Sequence, residues 1–263
     1  MLLPYSTITN ICEHLGSHKR PENDLQLGYY LAGLIEGDGC FSYKKLEIAF
    51  HEKDKSAAYS LRRQLGFGQI YSYSQNKKAV RFTISNKKGL KRVLDLINGK
   101  LICSAKVNQL IEKGYESRLG CKILNASLNI CLTNHWLAGF LDADGSIGIF
   151  VANSKTHKLK KSVRLEIKFT QKDKQILSLI ASIFGVKSIY KDKKNIHRLK
   201  LTGSNKIKKI IDYLDDYHLQ TIKYTQYTIF RRCARYVQSK EHLESNGLEK
   251  IFRFKRSLQS VYN

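Results

Sequence analysis

The sequence predicts an α+β fold made of two pseudo-symmetric copies of one unit. Each copy reads helix, two strands, helix, two strands, helix. Two observations predict it. The nonapeptide LAGLIEGDG at 31–39 returns as LAGFLDADG at 137–145, and the stretches after each copy also correspond. Within those stretches, apolar and polar residues alternate and then give way to helical spacing. Two copies are too few for a solenoid, so they suggest two halves facing each other across a pseudo-two-fold axis, like a dimer fused into one chain. Such a chain is expected to act as a monomer.

The first element is the helix that ends in the nonapeptide. Asn23 or Asp24 suits its start, and Thr133 or Asn134 suits the start of the second copy. Gly39 and Gly145 stand where a helix-ending residue with positive φ is expected. Ala32, Gly33 and Gly37 match Ala138, Gly139 and Ala143. Glycine inside a helix costs about 1 kcal/mol relative to alanine. Close packing of the two helices, backbone to backbone, offsets that cost and places them at the centre of the molecule.

The strands come next. Leu46, Ile48 and Phe50 alternate with Glu47, Ala49 and His51, and Val163, Leu165, Ile167 and Phe169 alternate with Arg164, Glu166, Lys168 and Thr170. IAFHEKDK at 48–55 matches IKFTQKDK at 167–174, and helical spacing follows over 54–65 and 173–184. A further strand alternates Val80, Phe82 and Ile84 with Arg81, Thr83 and Ser85. The stretch 80–97 parallels 197–214, and 101–110 parallels 219–228. The expected organisation is an extension at 1–24, a first repeat at 25–116, a linker at 117–132, a second repeat at 133–238 and a basic tail at 239–263.

Composition narrows the function. The chain has 263 residues and carries 46 Lys+Arg against 22 Asp+Glu, a net charge of +24. Such a surface points to a polyanionic partner, most commonly nucleic acid. An antiparallel sheet backed by helices leaves one face free, and here that face carries Arg, Lys, Tyr, Thr and Glu. Two such sheets side by side form a basic saddle of the kind that can enter a major groove. No apolar run approaches the roughly 18 residues of a membrane span. The first twenty residues lack a signal-peptide core and contain no arginine before Arg20, which makes a poor transit peptide. The six cysteines form no C-x-x-C pair, so reduced thiols in a cytosolic or organellar interior are expected.

The paired helices bring Asp38 and Asp144 together at the negative ends of two helix dipoles. Carboxylates placed there make sense when a cation sits between them. Oxygen-only ligands favour Mg²⁺, Mn²⁺ or Ca²⁺, and beside a polyphosphate this is a site for metal-assisted hydrolysis. An EF-hand loop needs glycine at its sixth position, whereas counting from Glu36 or Asp142 gives Phe41 or Ile147. A plain turn would suffice for one copy. Two copies, each followed by the same pattern, argue against it.

The two nonapeptides, the repeat and the basic sheets together resemble the LAGLIDADG family of homing endonucleases in its single-chain, two-repeat form, over residues 25–238. The resemblance implies paired motif helices and two saddle-shaped sheets over duplex DNA. It also implies cleavage of both strands with a divalent metal across the minor groove, short 3′ overhangs, and a long, partly degenerate target. Mg²⁺ is the implied cofactor, with Mn²⁺ able to substitute and Ca²⁺ binding without supporting cleavage. An intron-encoded, organellar origin follows, mitochondrial first and chloroplast second. Carried over by position, the metal-binding acids fall on Asp38 and Asp144, while Glu36 and Asp142 take a structural place. The polar residue after the second strand falls on Gln171, with Glu52 as its counterpart. The basic residues near the start of each final helix fall on Lys223 and Lys106.

On the polar sheet faces the candidates for reading bases are Tyr71, Tyr73, Arg81, Thr83, Arg164, Glu166, Lys168, Tyr190, Arg198 and Lys200. Arg and Lys suit guanine edges, and Glu accepts from cytosine. The first hairpin, CFSYKKLEIAF, is much shorter than SIGIFVANSKTHKLKKSVRLEIKF, so the asymmetry predicts a non-palindromic site whose outer half on the second repeat's side is read more fully. The competing function is an RNA maturase that helps a host intron fold, since a basic surface serves either role. Intact Asp38 and Asp144 favour the nuclease.

Overall fold

A computed structural model describes residues 10–72 and 78–262. The first repeat contains α1 (Asp24–Asp38), β1 (Gly39–Phe41), β2 (Leu46–His51), α2 (Lys55–Leu65), β3 (Gln69–Ser72), β4 (Ala79–Ile84) and α3 (Lys87–Ile97), followed by α4 (Ser104–Glu112) and α5 (Tyr115–Leu119). The second contains α6 (Trp136–Asp144), β5 (Gly145–Asn153), β6 (Lys161–Gln171), α7 (Lys174–Phe184), β7 (Tyr190–Lys191), β8 (His197–Leu201) and α8 (Ser204–Asp216), then α9 (Lys223–Gln238) and α10 (Ser245–Ser260). The sheets have the same antiparallel order, β1-β2-β4-β3 and β5-β6-β8-β7. The expected α+β duplication is the fold that forms.

Asn23 caps α1, accepting from the Gln26 N–H at 3.0 Å. The cap of α6 sits one residue later than expected. Its cap residue is His135, and Asn134 accepts from the Trp136 N–H at 2.9 Å. The two motif helices touch backbone to backbone. A Cβ on Gly33 would lie 2.0 Å from the Trp136 carbonyl oxygen, and one on Gly139 would lie 2.0 Å from that of Tyr30. Leu31, Ala32, Ile35, Leu137, Ala138, Phe140 and Leu141 are fully buried around this crossing. The inward faces of both sheets pack against it through Ile48, Phe82, Ile167, Phe169 and Leu199, so the strand alternation and the helix crossing share one core.

Regular structure extends beyond the expected repeats. The expected linker begins inside α5, and the expected tail holds α10, which buries Ile251 and Leu258. Residues 10–22 form no helix or strand, yet they lie along the second repeat. The Ile11 N–H donates to Gln238 at 2.9 Å, and the Lys19 N–H donates to His218 Nδ1 at 2.8 Å.

One core residue makes a testable pH dependence. His135 is buried edge-on to Tyr217, with ring centroids 4.9 Å apart. Burial, with a smaller contribution from His218, pushes its pKa down to about 4. A free histidine titrates near 6.5, so on acidification the unfolded chain takes up a proton before the folded one does. This contribution to stability is complete above about pH 6.5 and is lost as pH falls toward 4. His135→Gln is expected to shrink the gap between melting temperatures at pH 7.5 and pH 4.5. An unchanged gap in thermal denaturation would assign the acid sensitivity elsewhere.

Candidate active site

Each motif helix runs straight into a strand with no intervening loop, which fixes where its last residue points. Gly39 and Gly145 make that junction in extended conformation, at φ −85° and −89°, not at the positive φ expected of a helix stop. Glycine is needed there for space. A Cβ on Gly39 would sit 2.7 Å from the Ile35 carbonyl oxygen, and one on Gly145 would sit 2.6 Å from that of Leu141. The preceding residues, Asp38 and Asp144, meet where the helices end. A Cβ on Gly37 would fall 2.2 Å from the Ala143 Cβ and 3.2 Å from Asp144 Oδ2.

The pair is electrostatically loaded. Burial pushes the Asp144 carboxyl up to about 7, and the Asp38 charge adds to the rise. Burial also raises Asp38, against the opposing pull of Lys223 and Lys106 and with a further push from Asp54. Lys223, the first residue of α9, closes the end of α6. Its Nζ donates to the carbonyls of Leu141, Asp142 and Ala143 at 3.1, 2.7 and 2.9 Å. Lys106 on α4 donates to the Gly39 carbonyl at the end of α1. Both lysines bring positive charge to helix C-termini within electrostatic reach of both aspartates.

The sixth residue of each motif anchors the chain leading to these lysines. Glu36 accepts from the N–H groups of Ile102 and Cys103 at 2.6 and 2.5 Å, just before α4. Asp142 accepts from the Gln220 N–H at 2.7 Å and the Thr221 hydroxyl at 2.5 Å, just before α9. Each acid also takes a bond from the other repeat. Trp136 Nε1 donates to Glu36 at 2.8 Å, and the Tyr30 hydroxyl donates to Asp142 at 2.9 Å. Tyr30 and Trp136 each stand one residue ahead of their motif, so the bonds obey the pseudo-two-fold.

Gln171, at the end of β6, joins the aspartates, donating to Asp144 Oδ2 at 2.5 Å and to the Glu36 carbonyl at 3.3 Å. Glu52 does not take the matching place. It is exposed at the start of a short 3-10 turn, Glu52–Asp54, and its N–H bonds the Lys78 carbonyl at 3.0 Å. Gly39 faces Ile48 across β1 and β2, whereas Gly145 faces Phe169 across β5 and β6. Phe50 therefore holds the register position of Gln171, and two extra residues coil into the turn. The acid that comes near Asp38 is Asp54, which sequence reasoning missed. It is buried and accepts from the Ile222 N–H at 2.7 Å, reaching from the first repeat to the start of α9. A sequence signal existed, since Asp54 aligns with Asp173 before an equivalent helix.

The base-reading candidates among the described residues fall on the faces turned away from the helices. Arg81 faces Tyr71 across β4 and β3, as Arg198 faces Tyr190 across β8 and β7. Thr83 lies opposite Glu47, and Lys200 opposite Lys168. Several of these groups already have partners. Arg81 holds Glu47 at 2.9 Å, Arg198 holds Asp192 at 2.7 Å, and the Arg164 guanidinium lies over the Phe150 ring at 5.1 Å. Glu166 is buried, with Lys200 at 3.4 Å and Arg164 at 3.7 Å, so it organises these cations on the sheet surface. Tyr73 lies outside the described residues. The hairpins are unequal as expected, with nine paired positions between β5 and β6 against three between β1 and β2.

Two mutually repelling carboxylates, Asp144 half-buried and Asp38 exposed, both at negative helix ends, form an oxygen donor set that suits a hard divalent cation. Among the described residues no three His, Cys, Asp or Glu groups cluster to hold a metal by themselves. A cation between Asp38 and Asp144 would therefore complete its shell with phosphate oxygens or water. No helix among the described residues is long and apolar enough to cross a membrane.

Comparison with known proteins agrees with this arrangement. The family model described as LAGLIDADG endonuclease matches residues 31–112 and 137–234, one segment in each repeat. An uncharacterized cox1 intron-2 37.2 kDa protein of Schizosaccharomyces pombe is 39% identical over 253 residues, covering 93% of this chain and 76% of its own. The intron-encoded RNA maturase bI4 of Saccharomyces cerevisiae is 28% identical over 194 residues, covering 70% of this chain and 28% of its own. Among solved structures, the I-LtrWI LAGLIDADG homing endonuclease bound to target DNA superposes with TM-score 0.70 at 22% identity, over 89% of this chain and 97% of the other. That last likeness speaks for the fold. With a matching segment in both repeats and a relative this similar along most of its length, the chain belongs to the LAGLIDADG endonuclease family.

Proposed function

We propose that the protein is a monomeric homing endonuclease that hydrolyses both strands of a long, non-palindromic duplex DNA target and leaves short 3′ overhangs. The observation that carries this reading is the meeting of Asp38 and Asp144 at the seam between two basic, outward-facing sheets. Mg²⁺ is the proposed cofactor, with Mn²⁺ able to replace it and Ca²⁺ expected to bind without supporting cleavage. Asp38 and Asp144 would hold it. A divalent cation there supplies Lewis-acid stabilisation of the phosphoryl oxygens.

The chain's own residues account for the rest. The sheets bind and orient the duplex through Arg, Lys and Tyr. Lys223 and Lys106 keep positive charge beside the aspartates, where negative charge develops on the phosphate. Glu36 and Asp142 fix the start of the helices that carry these lysines. The packed motif helices exclude water from below the pair. The cox1 intron relative supports an intron-encoded, mitochondrial setting, with the chloroplast as the other organelle.

The maturase relative supports a second reading, in which the same basic surface assists folding of intron RNA. Selection of cleaved sites from a randomised duplex library with Mg²⁺ separates the two. Recovery of one long target supports the endonuclease, and binding without cleavage favours the maturase. The net charge of +24 also predicts steeply salt-dependent DNA binding. Log affinity is expected to fall against log salt with a slope of about −0.9 per phosphate neutralised. A flat response in fluorescence anisotropy would remove the saddle from the argument.

A further inference from the structure

We propose that the segment leading into α1 braces the active-site lysine of the second repeat, with His218 as the positioning residue that joins the two. The brace itself is a set of contacts between the halves. Its effect on cleavage rests on the endonuclease reading above.

Residues 10–22 run into α1 of the first repeat, yet His18 and Lys19 grip the loop between α8 and α9 in the second. His218, in that loop, is fully buried. The Lys19 N–H donates to His218 Nδ1 at 2.8 Å, so Nδ1 must be the bare, accepting nitrogen. Nε2 then carries the proton and donates to the Asp215 carbonyl at 3.0 Å. One neutral tautomer serves both sides of the ring. Gln220 closes the grip, its amide donating to the carbonyls of Lys19 at 2.9 Å and His218 at 2.8 Å. His18 donates to the Leu219 carbonyl at 2.8 Å, and its ring lies 4.3 Å from that of Tyr224.

The next residues carry this hold to the site. The Gln220 N–H and the Thr221 hydroxyl bond Asp142, and the Ile222 N–H bonds Asp54. Lys223 follows directly, and its Nζ caps the carbonyls of Leu141, Asp142 and Ala143 beside Asp144. From Lys19 to the Lys223 ammonium every link is a hydrogen bond or a covalent bond. The loop is thus gripped from outside by the leading segment and from inside by two buried acids.

The first repeat has the matching arrangement. Leu101 aligns with Leu219 in the parallel stretches 101–110 and 219–228. Its carbonyl accepts from the Ser127 N–H at 2.7 Å, in the segment that leads into α6. Asn98 grips the same segment, donating to the Lys122 carbonyl and accepting from the Leu124 N–H, each at 2.8 Å. Each motif helix is therefore entered by a segment that holds the lysine-bearing loop of the opposite repeat. The first repeat makes this hold with an asparagine, the second with a histidine. Because its ring is buried, His218 acts through the loop and not by touching DNA. A shift of about 1 Å in a positioned group costs up to about 100-fold in rate.

The test is single-turnover cleavage of the selected target at saturating protein, beside a gel shift. His218→Leu keeps bulk and removes both ring nitrogens. It is expected to slow cleavage roughly 10- to 100-fold at unchanged DNA affinity. His218→Asn puts Oδ1 where Nδ1 stood and is expected to recover most of that rate. Gln220→Ala removes only the amide that grips Lys19, and is expected to slow cleavage by less. It decides the matter if melting curves show His218→Leu unfolded. Hydrogen exchange over residues 218–227 reads the loop without turnover, and should be faster in His218→Leu than in wild type or His218→Asn. Wild-type cleavage by the folded variants, equal losses in His218→Leu and His218→Asn, or a parallel loss of DNA affinity would overturn the brace and leave the endonuclease reading intact. If wild type binds DNA without cutting, the endonuclease reading falls and exchange alone decides. Unchanged exchange in His218→Leu then overturns the brace, and faster exchange upholds it.

Discussion

Asp144→Asn is expected to lose double-strand cleavage by several orders of magnitude while keeping specific DNA binding, and Asp38→Asn should behave alike. The substitution preserves shape and removes one of two charges that belong to a single site. The two charges are coupled, since the Asp38 charge adds to burial in pushing Asp144 up to about 7. The proposed cation would relieve that repulsion, so losing either carboxylate would weaken its hold and the phosphate would lose stabilisation as charge builds. Binding should survive because Arg81, Arg164, Lys168, Arg198 and Lys200 lie on the sheet faces, apart from the helix ends. It should even tighten slightly, since a negative group beside phosphate disappears. The measurement is plasmid cleavage in Mg²⁺ beside a gel shift in Ca²⁺. Wild-type cutting by Asp144→Asn would displace the site from the helix seam and give the maturase reading the advantage.

The second large effect concerns stability. Gly33→Leu or Gly139→Leu is expected to unfold the protein at ordinary temperatures or to lower its melting temperature steeply. At both positions even a Cβ would lie 2.0 Å from a carbonyl oxygen of the facing helix. Backbone cannot yield as a flexible side chain does, so the helices must separate. Overpacking costs roughly 1–3 kcal/mol where neighbours can adjust; here they cannot, and about 3 kcal/mol serves as a floor. For a chain of this size each kcal/mol moves the melting temperature by roughly 2–4 °C. Gly120, where an added Cβ meets nothing within 4 Å but φ is +68°, is the control. Gly120→Ala should cost only its local backbone strain. If calorimetry found Gly33→Leu as stable as Gly120→Ala, close packing would not be what joins the halves.

Much of this was legible in the sequence, for physical reasons that also explain the exceptions. The motif helices and sheets could be read because burial imposes a period on sequence, as at Leu46–His51 and Val163–Thr170. The Gly39 and Gly145 junctions were located correctly but for the wrong cause. A chain that passes directly from helix to strand needs room beside the preceding turn, and only the three-dimensional path reveals that need. Pairing Glu52 with Gln171 followed the letters of IAFHEKDK and IKFTQKDK. Hydrogen-bond register is set by the partner strand, and it put Phe50 there instead. Asp54 stayed hidden because its partner, the Ile222 N–H, is 168 residues away. The burial of Glu166 likewise depends in part on a cation from the neighbouring strand, Lys200 on β8, which alternation along one strand does not show.

The crossed bonds, Tyr30 to Asp142 and Trp136 to Glu36, bear on how such a chain drifts and recombines. Each half completes the other's scaffold with a ring matched to the length of the acid it meets: the longer Glu36 meets an indole N–H, and the shorter Asp142 meets a phenol hydroxyl. A change at any of the four positions is felt in the opposite half, so these sites must drift as linked pairs 100 and 112 residues apart. A hybrid that joins one half of this chain to half of a relative inherits one member of each pair from each parent. Its viability therefore turns on whether those two ring-and-acid matches survive the splice, however well the DNA-facing sheets suit the new target.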